Sequence, residues 1–202
     1  MKRWEVINWI ARRKNYRKYL EIGSRNYARN LDKIECKDKT GVDLNPRGDR
    51  CHFRMTSDAF FEQNTRHYNL IFIDGLHAGE QVAKDIENAL AILEPDGTIV
   101  MHDCNPPTEW HQREEMGEGE WNGTVWKGYM HYRTRGDLRM CVVDDDWGLG
   151  VIRYGKQTPV DTEDFTYAGL NANRKQWLNL LSFNEFKTWF KEGSAQCQMP
   201  TP

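Results

Sequence analysis

A short apolar run that stops abruptly at an acid constrains the fold of this chain more than any other stretch. Residues 70–73 are apolar and rich in β-branched and aromatic side chains, which is typical of a strand buried on both faces of a parallel sheet, and Asp74 ends the run. Apolar residues then recur every three or four positions, which predicts an amphipathic crossover helix. The apolar stripe comprises Val82, Ile86, Leu90 and Leu93, and the charged side chains expected in solvent are Glu80, Lys84, Asp85 and Glu87.

A second buried strand is predicted after this helix. Residues 95–97 have turn chemistry, residues 98–101 form the apolar run, and a polar pair closes it. A right-handed crossover brings the carboxyl ends of two parallel strands to one edge of the sheet, where the ligands of open α/β sheets bind. We therefore expect four polar side chains at that edge: Asp74, His77, His102 and Asp103.

Shorter patterns predict the other elements. Strands are expected at residues 19–23, at 41–43 before turn residues, more weakly at 52–55, and as an antiparallel hairpin at 138–143 and 150–154. Helices are expected at residues 1–18, at 24–31, from about residue 59 after the capping residues 56–58, and at 177–190.

The length and charge of the chain fit one α/β domain. Its 202 residues suffice for one sizeable core and are too few for two ordinary domains, so we expect a single domain over residues 1–202. The 28 basic and 30 acidic side chains leave a net charge of −2, which argues against nucleic acid or an anionic membrane as partner. The basic first helix, residues 1–18, is interpreted as a solvated face or as a surface for an anionic substrate or partner.

Two segments stand apart from the central pattern. Residues 105–135 form an insertion without a clean period, and long loops of this kind are usually functional. Its tryptophans predict either a lid over an acceptor or an anchor of the loop to the core. Residues 160–202 are expected to form a helical tail.

Cysteine usage and hydropathy bear on the compartment. The five cysteines are odd in number and no two form a Cys-x-x-Cys pair, which argues against a disulfide framework or a structural zinc site. No apolar stretch reaches the length of a signal segment or a membrane span. The sequence therefore predicts a soluble, cytoplasmic protein without membrane contact.

The turn after the first strand indicates the kind of cofactor. Asp43 lies 20 residues after Gly23, the spacing at which an acid on the second strand meets the ribose hydroxyls of a nucleotide. A dinucleotide site needs two further glycines, and Arg25 and Ala28 stand in their places, which disfavours NAD and FAD. S-adenosylmethionine has no pyrophosphate and needs only a glycine turn and an acid for its ribose, so this pattern favours it.

Six motifs together resemble the class I S-adenosylmethionine-dependent methyltransferases. They are residues 19–23, 41–43, 57–61, 71–77, 85–86 and 95–103, and the most specific is the Ile-Asp-Gly-x-His segment at 73–77. The chain is most similar to the branch often found beside glycosyltransferase genes. The resemblance implies an α/β, Rossmann-like three-layer sandwich whose seven-stranded, mostly parallel sheet carries a C-terminal antiparallel hairpin.

The resemblance also implies a set of cofactor-binding residues. Glu21 and Gly23 correspond to the positions that line the methionine part, and Asp43 to the position that binds the ribose. Ser57 and Asp58 correspond to the adenine side. The full implied set is Glu21, Gly23, Ser24, Asp43, Leu44, Ser57, Asp58 and Asp74.

A metal is left open as a second cofactor. Related metal-dependent O-methyltransferases of sugars and macrolides bind Mg²⁺ with an acid at the Asp74 position and two adjacent acids after the next strand. Here the adjacent pair is His102 and Asp103. Because Mg²⁺ prefers carboxylate oxygens, the imidazole weakens it and favours Mn²⁺, Fe²⁺ or no metal. The candidate metal ligands are Asp74, His102 and Asp103.

The implied chemistry is transfer of a sulfonium methyl group to a hydroxyl oxygen. Related enzymes use as base a histidine three residues after the first acid, which is His77 here. An imidazole titrates near neutral pH and suits this role, with Asp74 or Asp103 orienting it. The candidate catalytic residues are therefore His77, Asp74 and Asp103.

The predicted function is O-methylation of a hydroxyl on a sugar, a glycan or another small molecule. The alternative is a catalytically silent module that binds S-adenosylmethionine or a partner. It is favoured by Tyr27, where many such enzymes have a glycine, and by the incomplete acid pair. Methylation of nucleic acid is disfavoured, and a homodimer is left open.

Overall fold

Strands and helices alternate along the first half of the chain, as the apolar runs predict. The structure, a computed structural model, describes residues 1–48 and 52–192. The helices are α1 (Arg3–Lys14), α2 (Ser57–Gln63), α3 (Gly79–Ala91), α4 (Val125–Arg133), α5 (Tyr167–Trp177) and α6 (Phe183–Glu192). The strands are β1 (Lys18–Ile22), β2 (Asp38–Val42), β3 (Tyr68–Ile73), β4 (Leu93–Met101), β5 (Leu138–Val143), β6 (Leu149–Tyr154) and β7 (Leu180–Leu181).

These strands form one sheet in the order β2-β1-β3-β4-β6-β5-β7. The pairs β1 with β2, β1 with β3, and β3 with β4 are parallel, and β6 runs antiparallel to β4 and β5. The predicted seven-stranded, mostly parallel sheet with an antiparallel hairpin is thus confirmed. Because β2 and β3 lie on opposite sides of β1, the strand order reverses there, and such a reversal opens a crevice at the carboxyl ends of the strands.

Helices cover both faces of the sheet and make the three layers expected. One core joins the sheet to α2, α3, α4 and α5, with Trp126 as its largest fully buried side chain. The other joins it to α1 and α6. There Trp9 meets the rings of Phe183, Phe186 and Phe190 edge-on, at centroid distances of 5.5–5.9 Å. The first and last described helices are therefore packed against each other.

Two predicted elements are wrong. The strand at 52–55 is reduced to one bridge between Val42 and Phe53, because the amide of His52 donates to the Tyr27 hydroxyl instead of a neighbouring strand. The helix at 24–31 is instead a pair of short 3₁₀ turns, Tyr27–Arg29 and Leu31–Lys33. The Asn26 side chain accepts from the Ala28 amide, which favours a tight turn over an α-helix.

Other differences are local. The first helix ends at Lys14, β2 ends at Val42 so that Asp43 follows it, and α2 begins at Ser57 after the capping residue Thr56. Residues 95–97 belong to β4 but lie where its register with β3 shifts, which keeps their turn-like character.

Two corrections concern burial and the tail. Asp85 was expected in solvent but is buried, where Gln81 donates a hydrogen bond to it. The expected helix at 177–190 is divided by β7, which pairs with β5.

Three of the five cysteines lie within the described residues. Cys36, Cys104 and Cys141 are buried free thiols, whereas Cys51 and Cys197 lie outside the described residues. The last ten residues of the predicted tail lie outside them too. Within residues 1–48 and 52–192, no helix combines the length and apolar character that crossing a bilayer requires.

Candidate active site

The predicted site residues follow the carboxyl ends of the four parallel strands. Gly23 comes after β1, Asp43 after β2, Asp74 after β3, and His102 with Asp103 after β4. Backbone hydrogen bonds between neighbouring strands continue past the strand ends. The amide of Asp74 donates to the Ile22 carbonyl, and the amide of His102 donates to the Ile73 carbonyl. The polar side chains are therefore held by the sheet rather than by free loops.

Gly23 brings the first turn against the end of β3. Its φ is +89°, and a Cβ atom on it would lie 1.9 Å from the carbonyl oxygen of Asp74. Only glycine allows both this backbone conformation and this approach. The turn expected to hold a cofactor thus adjoins the acid expected to face the acceptor.

Two imidazoles and two carboxylates meet beyond β3 and β4. His102 Nδ1 lies 2.8 Å from Asp103 Oδ2 and 3.5 Å from Asp74 Oδ1. His77 Nε2 lies 3.5 Å from each of the same two carboxylate oxygens. The structure therefore brings together the four residues that the strand ends predict, while their chemical roles stay predictions.

The charges of this cluster shift one another. Burial alone would lower the pKa of His102, but the Asp74 charge and the contact with Asp103 raise it to about 9. Burial alone would raise the pKa of Asp74, but His102, His77 and Arg3 hold it well below its usual range. Burial also lowers the pKa of His77, but Asp74 and Asp103 outweigh burial, so the pKa of His77 is raised. At neutral pH the cluster therefore holds an ionised Asp74 beside a protonated His102.

Two members of the site were missed from the sequence. Arg3, at the start of α1, places Nη1 2.5 Å from Asp74 Oδ2 and Nε 3.2 Å from Asp146 Oδ2. Asp146 lies in the turn between β5 and β6, and its Oδ2 is 4.0 Å from His102 Nε2. No local pattern indicates these contacts, because the partners lie 71 and 143 positions from Arg3.

The insertion packs directly on the cluster. Trp121 stacks on the His77 ring at 4.9 Å between centroids with an interplanar angle of 18°. Asn122 Nδ2 donates to Asp103 Oδ1 at 2.6 Å, and the Thr124 amide donates to the His77 carbonyl at 2.9 Å. The insertion thus orients both His77 and Asp103, and its role as a lid stays a prediction.

Glu21, in β1, and Ser24, directly after Gly23, are both buried next to this turn. Glu21 is buried and accepts from the Tyr19 hydroxyl at 2.7 Å and from Asn30 Nδ2 at 2.8 Å. Its burial raises its pKa to about 7, although these two hydrogen bonds lower it. The Ser24 hydroxyl is buried and has no hydrogen-bond partner among the described residues.

The remaining predicted residues lie to the side of the cluster. Asp43 is half-buried and its Oδ1 accepts from the Asn45 amide at 2.8 Å, while Leu44 is 58% exposed. Ser57 and Asp58 begin α2 and form a second polar group through Gln81, whose Nε2 lies 3.3 Å from Ser57 Oγ and 2.9 Å from Asp58 Oδ1.

Comparison with known proteins agrees with this architecture. Residues 8–104, which carry most of the site, match a family model described as a methyltransferase domain. The first half of the chain is therefore similar to a methyltransferase domain, and the sheet order is that of the Rossmann-like methyltransferase fold. No curated protein matches the sequence significantly.

Three solved structures share the fold of the methyltransferase domain. SAH-bound PaMTH1 from Podospora anserina is 15% identical, with a TM-score of 0.55 and coverage of 75% of this chain and 77% of that one. A putative caffeoyl-CoA O-methyltransferase from Staphylococcus aureus is 17% identical, with a TM-score of 0.53 and coverage of 77% and 85%. The O-methyltransferase TomG from Streptomyces achromogenes, in complex with SAM, is 12% identical, with a TM-score of 0.51 and coverage of 74% and 78%. Assignment to the branch with the Ile-Asp-Gly-x-His motif stays a prediction.

The ligand atoms of this cluster are close enough together for a divalent cation, but their charges are already paired. Asp74, His102 and Asp103 each offer one ligand atom, all within 4.8 Å of one another. However, the guanidinium of Arg3 already lies against Asp74, and Nδ1 of His102 already pairs with Asp103. The residues present therefore do not fit a metal in this arrangement.

A cavity of about 370 Å³ opens beside the cluster. Asp146 belongs to its lining and also lies next to His102 and Arg3. The lining further includes Asn105, Trp147 and Arg174. Its volume lies in the range of small-molecule sites, while its lining, with Asp144, Asp145 and Asn171 besides, is more polar than such sites usually are.

Proposed function

We propose that the protein is an S-adenosylmethionine-dependent O-methyltransferase that acts on a hydroxyl of a small molecule, including a sugar or glycan. The proposal rests on one observation above the others. His77 Nε2 lies 3.5 Å from both the Asp74 and the Asp103 carboxylate, and the backbone of Asp74 lies against the turn at Gly23. Asp74 therefore connects the proposed base to the turn proposed to hold the cofactor.

The residues around the first turn fit S-adenosylmethionine. The buried hydroxyl of Ser24, which has no partner in the part of the chain that the structure describes, offers a hydrogen bond beside Gly23. Glu21 offers an acid near a cationic methionine part. Asp43 would bind the ribose, next to Leu44, and the α2 group of Ser57 and Asp58 would face the adenine side. Bound S-adenosylmethionine supplies an electrophilic methyl group together with its own leaving group.

His77 accepts the hydroxyl proton of the acceptor at Nε2. Its other ring nitrogen, Nδ1, is buried and has no hydrogen-bond partner among the described residues, and Nε2 is the nitrogen that faces the Asp74 and Asp103 carboxylates. The proton then rests between Asp74 and Asp103, whose charges stabilise the imidazolium. The stacked Trp121 fixes the ring plane, so the base need not be oriented during the reaction.

Asp74 and His102 act as a fixed pair behind the base. Asp74 stays ionised because His102, His77 and Arg3 surround it. His102 holds its own proton at neutral pH and is therefore a poor base there. The division of roles is thus His77 as the base and His102 as the charge that keeps Asp74 ionised.

The test combines binding with turnover. Isothermal titration with S-adenosylmethionine and, separately, with NADH identifies the cofactor, and heat with NADH alone would refute the proposal. Product formation is then measured on a panel of sugars and other hydroxylated small molecules. Binding of S-adenosylmethionine without any methylated product across the panel would favour the silent module instead.

Several further properties belong to the same proposal. The acceptor is proposed to occupy the cavity beside Asp146, and the insertion is proposed to close over it. A cytoplasmic location, no nucleic-acid or membrane partner, and a possible pairing of two copies are carried from the sequence as predictions. Gel filtration with light scattering measures the last of these.

A further inference from the structure

The position of Arg3 has a consequence for metal binding. Its side chain extends from the first turn of α1 to the carboxyl edge of the sheet, 71 positions away in sequence. There Nη1 lies 2.5 Å from Asp74 Oδ2, while Nε and the backbone amide lie 3.2 and 2.7 Å from Asp146 Oδ2. Two guanidinium contacts and one backbone contact to two carboxylates hold Arg3 in this position.

This place borders the only group of His, Cys, Asp and Glu side chains, within residues 1–48 and 52–192, that could hold a metal ion. A cation bound by Asp74, His102 and Asp103 would lie beside the Arg3 guanidinium, and two positive centres at such separations repel strongly in a half-buried site. Arg3 and a divalent cation therefore compete for the charge of the same carboxylate.

We propose that Arg3 is the resident cation of this site and that it keeps the Asp74–His102–Asp103 cluster free of divalent metal. The guanidinium supplies the positive charge that balances Asp74 and Asp146, and α1 delivers it as part of the fold. Metal exclusion is a binding property of the chain, so it holds or fails independently of methyl transfer.

The experiment measures Mn²⁺ binding without cofactor or acceptor. The chain is stripped with EDTA, dialysed, and titrated with Mn²⁺ while the signal of free aqueous Mn²⁺ is followed by electron paramagnetic resonance. The variants are Arg3→Gln, which keeps a long polar side chain without charge, and Arg3→Ala. Arg12→Ala is the matched control, because it removes a guanidinium from the same helix whose partner is the exposed Glu35.

We expect no saturable Mn²⁺ binding by the parent chain or by Arg12→Ala. Arg3→Gln and Arg3→Ala should gain a single site with affinity at least about 100-fold higher, because a repelling unit charge is removed a few ångströms from the ion. Adding Asp74→Asn to Arg3→Gln should abolish the gained site, which locates it at the cluster.

Two results would overturn the proposal. One is saturable Mn²⁺ binding by the parent chain with Arg3 in place. The other is no gain of binding by Arg3→Gln in a sample whose far-ultraviolet circular dichroism and thermal transition match the parent. Each variant is checked in this way first, and Arg3→Ala serves the same purpose where Arg3→Gln is less stable.

Discussion

At Gly23 the backbone makes a turn that only glycine tolerates, since φ is +89° and a Cβ would meet the Asp74 carbonyl at 1.9 Å. Gly48 has nearly the same φ, +90°, but no atom of the described residues lies within 4 Å of its Cβ position. Both substitutions by alanine incur the cost of a left-handed conformation, roughly 1 kcal/mol. Only Gly23→Ala adds a backbone clash.

We therefore expect Gly23→Ala to lower the free energy of unfolding by roughly 2 kcal/mol more than Gly48→Ala does. Urea denaturation of both variants and the parent measures the difference. Equal losses in the two variants would mean that the close approach of the first turn to β3 is not maintained in solution.

His77→Gln tests the proposed base. The amide keeps a polar group of similar reach but cannot take a proton, so we expect kcat to fall by about 100- to 10,000-fold. Binding of S-adenosylmethionine should change little. His131→Gln is the control, since His131 is an exposed histidine of α4.

The same base predicts a pH profile. His77 must be neutral to accept a proton. Burial lowers its pKa, but Asp74 and Asp103 outweigh burial and raise the pKa above the ordinary value of about 6.5. Activity of the parent should therefore fall as the pH falls, with a midpoint above about 6.5. A midpoint near 5, or full turnover by His77→Gln, would exclude His77 as the base.

The sequence predicts which site residues lie close together only where the sheet itself brings them together. Asp74, His102 and Asp103 each follow a parallel strand, and parallel strands share one carboxyl edge, so their meeting follows from local patterns. Arg3 and Asp146 approach from a helix and a hairpin turn whose positions depend on tertiary packing. No period in the sequence encodes such a contact.

At the scale of whole elements, the insertion behaves as part of the site. Trp121 stacks on His77, and Gly123 reaches φ +62° with its Cβ position 2.2 Å from the His77 carbonyl. We expect Trp121→Ala to lower kcat by about 10-fold, because the imidazole loses its fixed plane, while the affinity for S-adenosylhomocysteine is unchanged.

Trp189→Ala is the matched control for that variant. Trp189 stacks on Phe186 in α6, on the opposite face of the sheet from α4, so its loss should lower stability without affecting kcat at a temperature where the chain is folded. An unchanged kcat in Trp121→Ala, measured by initial rates at saturating acceptor, would contradict the orienting role of the insertion.

Elements with strong periods were predicted well and those dominated by side-chain hydrogen bonds were not. The buried strands β3 and β4 and the hairpin of β5 and β6 match their apolar patterns. The segment at 24–31 failed because Asn26 caps a tight turn and Asn30 turns inward to Glu21. Propensity alone does not reveal that a polar side chain serves a buried acid.

At the scale of the whole molecule, the fold class followed from the alternation of strands and helices, but the completion of the sheet did not. The seventh strand is β7, a two-residue segment between α5 and α6 that pairs with β5. Its sequence lies within an apolar helical period, so local preference favours a helix. The open edge of β5 prevails, because its backbone groups need partners.

The buried charge of His102 should make the stability of the whole molecule depend on pH. Its pKa is about 9 in the folded chain and about 6.5 when unfolded, so the folded state binds the proton more tightly. The stabilisation is fully present below about pH 6.5 and is lost as the pH rises through about 9, and it amounts to roughly 3 kcal/mol.

His102→Gln removes this proton site, so its free energy of unfolding should vary less between pH 6.5 and 9 than that of the parent. His77 has a raised pKa and acts in the same direction, but it remains in both chains, and Glu21 completes its change at about pH 7. Urea denaturation at intervals across this range, in EDTA, gives the two slopes. Identical slopes would show that His102 is neutral in the folded chain, and Asp74 would then depend on Arg3 and His77 for its charge partners.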